Sequence, residues 1–278
     1  MSKFERDTSV REVDAGVFEG QVNRDWWIVF GPNGGFLAAM LVRAMSAAVG
    51  DPGRAARSLT IHYTAAPAEG PVRIRTTAER AGRSLTTVSA RMEQADRLIA
   101  LAIGAFSRTR LAAIEFDEAP APDVPPPEDV PLVEPHPQMP PFSRQWEVRP
   151  AIGTPPFTGA NAPALTGGWI RAADTAAASG GDAIDPQPVD AALIAQLADA
   201  WIPAVFVRLA APNPVPTIDL TIHFRADLPL PADYLLVSFE SRLSRGGFIE
   251  EDGAIWSRDG RLVAHSRQLA LLQAPSQD

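Results

Sequence analysis

A five-residue cassette occurs twice in this chain and narrows what it can fold into more than any other feature. The first copy is Leu59-Thr60-Ile61-His62-Tyr63; the second, 161 residues later, is Leu220-Thr221-Ile222-His223-Phe224. Ala81-Gly82-Arg83-Ser84 and Ala95-Asp96-Arg97-Leu98-Ile99-Ala100 follow the first copy. Leu243-Ser244-Arg245-Gly246 and Arg258-Asp259-Gly260-Arg261-Leu262-Val263-Ala264 follow the second, and the offset drifts only to 164 at Arg97 and Arg261. Three patches in the same order at nearly constant spacing argue for one module duplicated within the chain. Chance likeness between β-rich segments is the weaker explanation.

Each half reads as a helix followed by strands. After the turn Gly31-Pro32-Asn33-Gly34-Gly35, residues Phe36 to Val49 are apolar on nearly every side, with alanines between the larger residues. A helix of that kind belongs inside the molecule, and Gly50-Asp51-Pro52-Gly53 ends it. Period-two alternation at Leu59 to Tyr63 predicts a strand, with further strands at Val72–Ala78, Leu85–Glu93 and Leu98–Phe106. The short apolar runs between Val10 and Val29 are consistent with strand or buried loop. In the second half, Ala164–Ala173 reads as a strand and Asp185-Pro186 as a break. Asp190 is a suitable N-cap for a helix Ala191–Ile202 that stops at Pro203. Strands follow at Thr217–Phe224, Tyr234–Leu243, Gly247–Trp256 and Leu262–Leu272, the last two joined by a turn at Asp259-Gly260.

Between the halves the composition changes. Thirteen of the 27 prolines lie between Pro120 and Pro156. Proline has no backbone donor, so this stretch cannot run as a regular helix or central strand. It is expected to lie extended over the surface, ordered by Phe142 and Trp146. The resulting division is a module at 1–117, a proline-rich linker at 118–156 and a second module at 157–278.

Composition limits the function. A net charge of −8 argues against nucleic acid, which needs a basic footprint. The most apolar stretch is too short to span a membrane and contains Arg43, and the charged N-terminus lacks an apolar signal core. With no cysteine there is no disulfide and no thiolate nucleophile. The four histidines show no metal-ligand spacing, and His62 and His223 occupy equivalent cassette positions, which suits a structural role. No Gly-x-Ser-x-Gly elbow and no phosphate loop is present. The expectation is a cytoplasmic protein without metal or cofactor.

A helix inside a curled antiparallel sheet is the hotdog architecture. Two such modules in one chain resemble the double-hotdog acyl-CoA thioesterases of the TesB type, an α+β fold in which each sheet wraps a long helix. The resemblance spans nearly the whole chain and rests on Asn33-Gly34-Gly35-Phe36, Pro216-Thr217-Ile218-Asp219, Gly260-Arg261-Leu262-Val263-Ala264 and the region of Gln268. It implies hydrolysis of an acyl-CoA thioester by a water held between an Asp, a Thr and a Gln of the second module. Residue by residue these fall on Asp199, Thr217 and Gln268. The segment from Asp199 to Thr217 departs from the family: it is shorter and carries Pro203, Pro212, Pro214 and Pro216. A catalytically silent acyl-CoA-binding protein is the alternative.

The residue types suit that chemistry. Asp199 can take a proton from water, Thr217 both donates and accepts, and Gln268 offers a carbonyl and an amide together. Helix geometry puts Asp199 on a face with Ala192, Ala195 and Gln196, although an ordinary solvated Asp is also consistent with the spacing. Strand alternation puts Thr217 on a face with Asp219, Thr221 and His223. The first-half counterparts of Thr217 and Gln268 are Ala56 and Gly104, so one site per chain is expected. Gly34 and Gly35, at a helix N-terminus, are candidate substrate-binding residues whose amides could polarise a thioester carbonyl; a plain glycine turn explains them equally well. Several arginines, Arg73, Arg75, Arg80, Arg83, Arg242 and Arg245, are available to CoA phosphates or simply to solvent. Exposed sheet edges favour association of chains, and a homodimer is expected.

Overall fold

The computed structural model describes residues 1–173 and 187–272; the expected break at Asp185-Pro186 lies outside them. A short helix α1 (Lys3–Asp7) opens the chain. The first half then contains β1 (Val10–Asp14), β2 (Val17–Val22), α2 (Gly34–Val49), β3 (Ala55–Tyr63), β4 (Gly70–Ala81), β5 (Thr86–Gln94) and β6 (Arg97–Ser107). The second half contains β7 (Trp146–Gly153), β8 (Ala164–Ala172), α3 (Ala191–Leu197), β9 (Thr217–Phe224) and β10 (Leu235–Ser241). It ends with the two-residue β11 (Ser244–Arg245), β12 (Phe248–Trp256) and β13 (Leu262–Leu271).

All described strands join one antiparallel sheet in the order β1-β2-β4-β5-β6-β3-β9-β13-β12-β10-β8-β7, with β11 paired to β12. Leaving β11 aside, each half has the same order when read from its outer edge: first, second, fourth, fifth, sixth and third strand. The halves meet at β3 and β9, which are the two cassette copies. Leu59 lies opposite Ile222, Thr60 opposite Thr221 and Ile61 opposite Leu220. Thr60 therefore faces its own counterpart, and the two hydroxyl oxygens are 3.1 Å apart. The seam is a pseudo-twofold within one chain, with Leu59, Ile61, Leu220 and Ile222 all buried beneath it.

Helix α2 matches its sequence. Gly35 to Val42 are buried without interruption, and Gly50 closes the helix in the left-handed conformation at φ 65°. Helix α3 is shorter than expected, because it stops at Leu197 rather than Ile202. The amides of Asp199 and Ala200 reach back only three residues, to Gln196 and Leu197. The Asp199 carbonyl would need the amide of residue 203, which is a proline and has none; it accepts instead from Asn33 Nδ2 at 2.7 Å. Among the described residues, the long central helix expected in each half is thus present in the first half only.

The proline-rich stretch also differs from expectation. Its first part lies over the second half, where the Ala119 and Pro125 carbonyls accept from the Trp256 and Trp169 indoles; further on, the Phe142 amide donates to the Trp27 carbonyl of the first half. Residues 146–153, expected to be linker, instead form the edge strand β7 against β8. Phe142 and Trp146 pack edge-on against Trp26, which stacks on Phe36 of α2 at 5.1 Å. The linker is tied by these aromatics to the core that both halves share.

Candidate active site

Asp199 sits at the end of α3, where the helix tightens, and its side chain reaches the N-terminus of α2. Carboxylate Oδ2 accepts from Gly35 N–H and from Asn33 Nδ2, both at 3.0 Å. Gln196 Nε2 donates to Asn33 Oδ1 at 2.6 Å, which orients the Asn33 amide. Asn33 makes no side-chain cap to its own helix; the carboxylate from the other half takes that place. The positive end of a 16-residue helix favours such a charge. The two glycines make room for it. A Cβ on Gly34 would lie 3.0 Å from Asp199 Oδ2, and one on Gly35 would collide with the Gln196 carbonyl oxygen.

Burial pushes the Asp199 carboxyl up to about 6, against the opposing pull of the Gly35 and Gly34 amides and the Asn33 side chain. Tyr63 lies against the same group and donates to the Gly34 carbonyl at 2.9 Å. Burial, and then the Asp199 charge, hold its phenol well above the usual tyrosine range. Of the two candidate substrate-binding glycines, Gly35 turns its amide onto the Asp199 carboxylate, and the Gly34 amide adds to the pull that favours the charge there.

Thr217 and Gln268 meet on the neighbouring strands. Thr217 Oγ1 donates to Gln268 Oε1 at 2.9 Å. Strict alternation would have kept Thr217 on the other face, with Asp219, Thr221 and His223. A bulge corrects this: Leu269 pairs with Asp219, but Ala270 pairs with Thr217, so Ile218 is the extra residue. Thr217 is thereby turned to the face of Ala270 and Gln268. The same bulge recurs in the first half, where Ala56 pairs with Phe106 and Ser58 with Ala105. Gln268 Nε2 donates to Glu251 Oε1 at 2.7 Å, and Ala204 N–H donates to Glu251 Oε2 at 2.6 Å.

The structure therefore assembles two hydrogen-bonded sets. One is Asp199 with Asn33, Gly34, Gly35 and Gln196; the other is Thr217, Gln268 and Glu251. The Glu251 carboxyl is raised chiefly by burial, and the Asp199 charge adds to that. Two surface cavities, of about 450 and 910 Å³, are lined by other residues. Asn33, Tyr63, Gln196 and Glu251 were not anticipated as site residues. Glu251 could have been found from alternation alone, since Ile249, Glu251, Gly253 and Ile255 are the inward positions of β12. Among the described residues no group of three or more His, Asp or Glu could hold a metal ion.

Comparison with known proteins identifies both halves. The acyl-CoA thioesterase N-terminal domain model matches residues 23–107, and the acyl-CoA thioesterase C-terminal domain model matches residues 117–272. A conserved hotdog-fold protein of unknown function from Alicyclobacillus acidocaldarius is 28% identical; the match covers 99% of this chain and 100% of that one, with a TM-score of 0.84. The acyl-CoA thioesterase II TesB2 of Mycobacterium marinum, at 21% identity, has the same fold over 99% of this chain and 100% of its own, with a TM-score of 0.77. An uncharacterised protein of Mycobacterium tuberculosis is 27% identical over 93% of this chain and 91% of its own length. The chain belongs to the acyl-CoA thioesterase family, and its fold is that of the TesB-type hotdog proteins.

Proposed function

We propose that this protein is a double hotdog that hydrolyses a fatty acyl-CoA to the free acid and CoA, using one water-activating site per chain. The observation that carries this reading is the Asp199 carboxyl, held half-buried between the halves by Gly35 and Asn33 and raised to about 6 by desolvation. At neutral pH it is ionised, yet more basic than a surface aspartate, as a general base requires. In this account Asp199 takes a proton from a water as the water oxygen bonds to the thioester carbonyl carbon. The carbon–sulfur bond then breaks, and the CoA sulfur leaves with the proton. Thr217 and Gln268 hold the water in line through a hydroxyl and a carboxamide of fixed orientation. The second amide hydrogen of Gln268 is available to the developing oxyanion.

The first half supports one site rather than two. Ala56 and Gly104 stand where the second half has Thr217 and Gln268, at the same bulge and the same strand pairing. The edge strands β1 and β7 are left for association between chains, in keeping with a dimer. No helix among the described residues is long and apolar enough to cross a membrane.

The test is thiol release from acyl-CoAs of graded chain length by the purified protein, with binding followed in parallel. The expected result is CoA release with a preferred chain length. Tight binding with no release at any length would instead identify a silent acyl-CoA carrier.

A further inference from the structure

Glu251 is a buried carboxyl that no step above uses. It lies on β12 directly opposite Gln268 on β13, and only 4% of it is exposed. Its two oxygens accept from Gln268 Nε2 and from the Ala204 amide. Gln268 Oε1 in turn accepts from the Thr217 hydroxyl. A carboxamide has two ends of nearly equal shape, one that accepts and one that donates. An ionised carboxylate only accepts, so it can hold only the donor end. With Glu251 in place, the Gln268 carbonyl has to face Thr217.

A second observation comes from the duplication. In the first half the residue opposite Gly104 is Val88. Thr217, Gln268 and Glu251 thus correspond to Ala56, Gly104 and Val88, three apolar or side-chain-free positions in a half with the same strand order. The strand arrangement does not require a carboxyl at this position. The three polar residues occur together in the half that carries Asp199 and are absent together from the other.

We propose that Glu251 is a positioning residue of the hydrolytic site, which locks the Gln268 amide with its carbonyl toward Thr217 and fixes the turn at Ala204 to the same strand pair. The catalytic consequence rests on the hydrolytic reading given above; the amide lock does not. The Ala204 and Gln268 amides bond Glu251 directly; the charges of Asp199 and of Asp252, which lies on the outward face of the same strand, act on it as well. Burial, then the charges of Asp199 and Asp252, raise its carboxyl to about 7 against the two donors. The lock is therefore complete above that range and weakens as pH falls through it.

The experiment compares the full-length protein with Glu251→Gln and Glu251→Asp. Thermal unfolding, kcat and KM for an acyl-CoA are measured across pH. In the unsubstituted protein the Gln268 side-chain amide is followed by NMR, assigned by its loss in Gln268→Glu. Glu251→Gln leaves one acceptor for two donors; with its oxygen on the Ala204 amide, its NH2 meets the Gln268 donor and the Gln268 amide flips. The expected result is a fall in kcat of about 10–100-fold with KM nearly unchanged, and partial recovery in Glu251→Asp. On the acid limb kcat should fall with the inverse square of proton concentration with Glu251 present and with the inverse first power in Glu251→Gln. A folded Glu251→Gln protein with normal kcat and an unchanged acid limb would overturn the proposal. If that variant does not fold, the Gln268 amide decides: a shift on titration across neutrality supports the lock, and a flat response overturns it. Should the unsubstituted protein release no thiol, the hydrolytic reading fails, while the amide titration still judges the lock.

Discussion

At Asp199 two effects oppose one another, and burial outweighs the three donors that favour the charge. The folded protein therefore holds this proton more tightly than the unfolded chain does. Stability falls as pH rises from the ordinary 3.8 through about 6, and above that window the full penalty is present. Asp199→Asn removes the penalty. The Gly35 backbone N–H and Asn33 Nδ2 both bond the same oxygen, so the single carbonyl oxygen of an asparagine can keep them. The variant should be more stable than the parent by about 1–3 kcal/mol above neutrality and equal to it at the acid end of the window. Denaturant unfolding at the two pH values checks this; equal stability at both would contradict it. Asp199, Thr217 and Gln268 could be singled out in the sequence because their residue types, order and neighbouring patches match a family. Asn33 was visible as part of a glycine turn and of a patch shared with the family, but not as a partner of Asp199. Its contact with Asp199 joins residues 166 apart, and no local pattern records that.

Element geometry decides how closely the two helices approach. Gly35 is the point of closest approach, because a Cβ there would strike the Gln196 carbonyl and lie 2.9 Å from Asn33 Oδ1 and Gln196 Nε2. Gly35→Ala should push α3 from α2, lower stability by about 1–3 kcal/mol and reduce turnover by displacing Asp199. Gly50→Ala is the control. Nothing lies within 4 Å of a Cβ there, so only the left-handed backbone at φ 65° resists it, at about 1 kcal/mol, with turnover per folded molecule unchanged. Equal loss of turnover in the two would contradict the close-approach account. The strands were legible because alternation is local, and Thr217–Phe224 was placed to the residue. The end of α3 and the face of Thr217 were not. The first depends on a carbonyl whose helical partner is Pro203, the second on a bulge that alternation cannot register.

Across the whole molecule, one sheet and one apolar core join the halves. The main core contains Phe36, Ile61 and Met92 from the first half with Ile194, Leu220 and Phe239 from the second. Unfolding should therefore be a single cooperative transition, with calorimetric and van't Hoff enthalpies equal; two separable transitions would contradict a shared core. At the seam, Thr60→Val with Thr221→Val replaces both partners of one hydrogen bond and should be nearly neutral. Thr221→Pro removes a backbone donor from a central strand and should prevent folding. The duplication was legible because the cassette repeats. That the two copies pair with each other was not, since a sequence repeat carries no statement of adjacency. Nor was β7, masked by its proline-rich surroundings. The central claim is that the half with the polar residues activates water through Asp199. Its most direct test is the rate of CoA release by Asp199→Asn, with folding verified by thermal unfolding. The account predicts a fall of about 10²–10⁴-fold in kcat; release at the unsubstituted rate would contradict it.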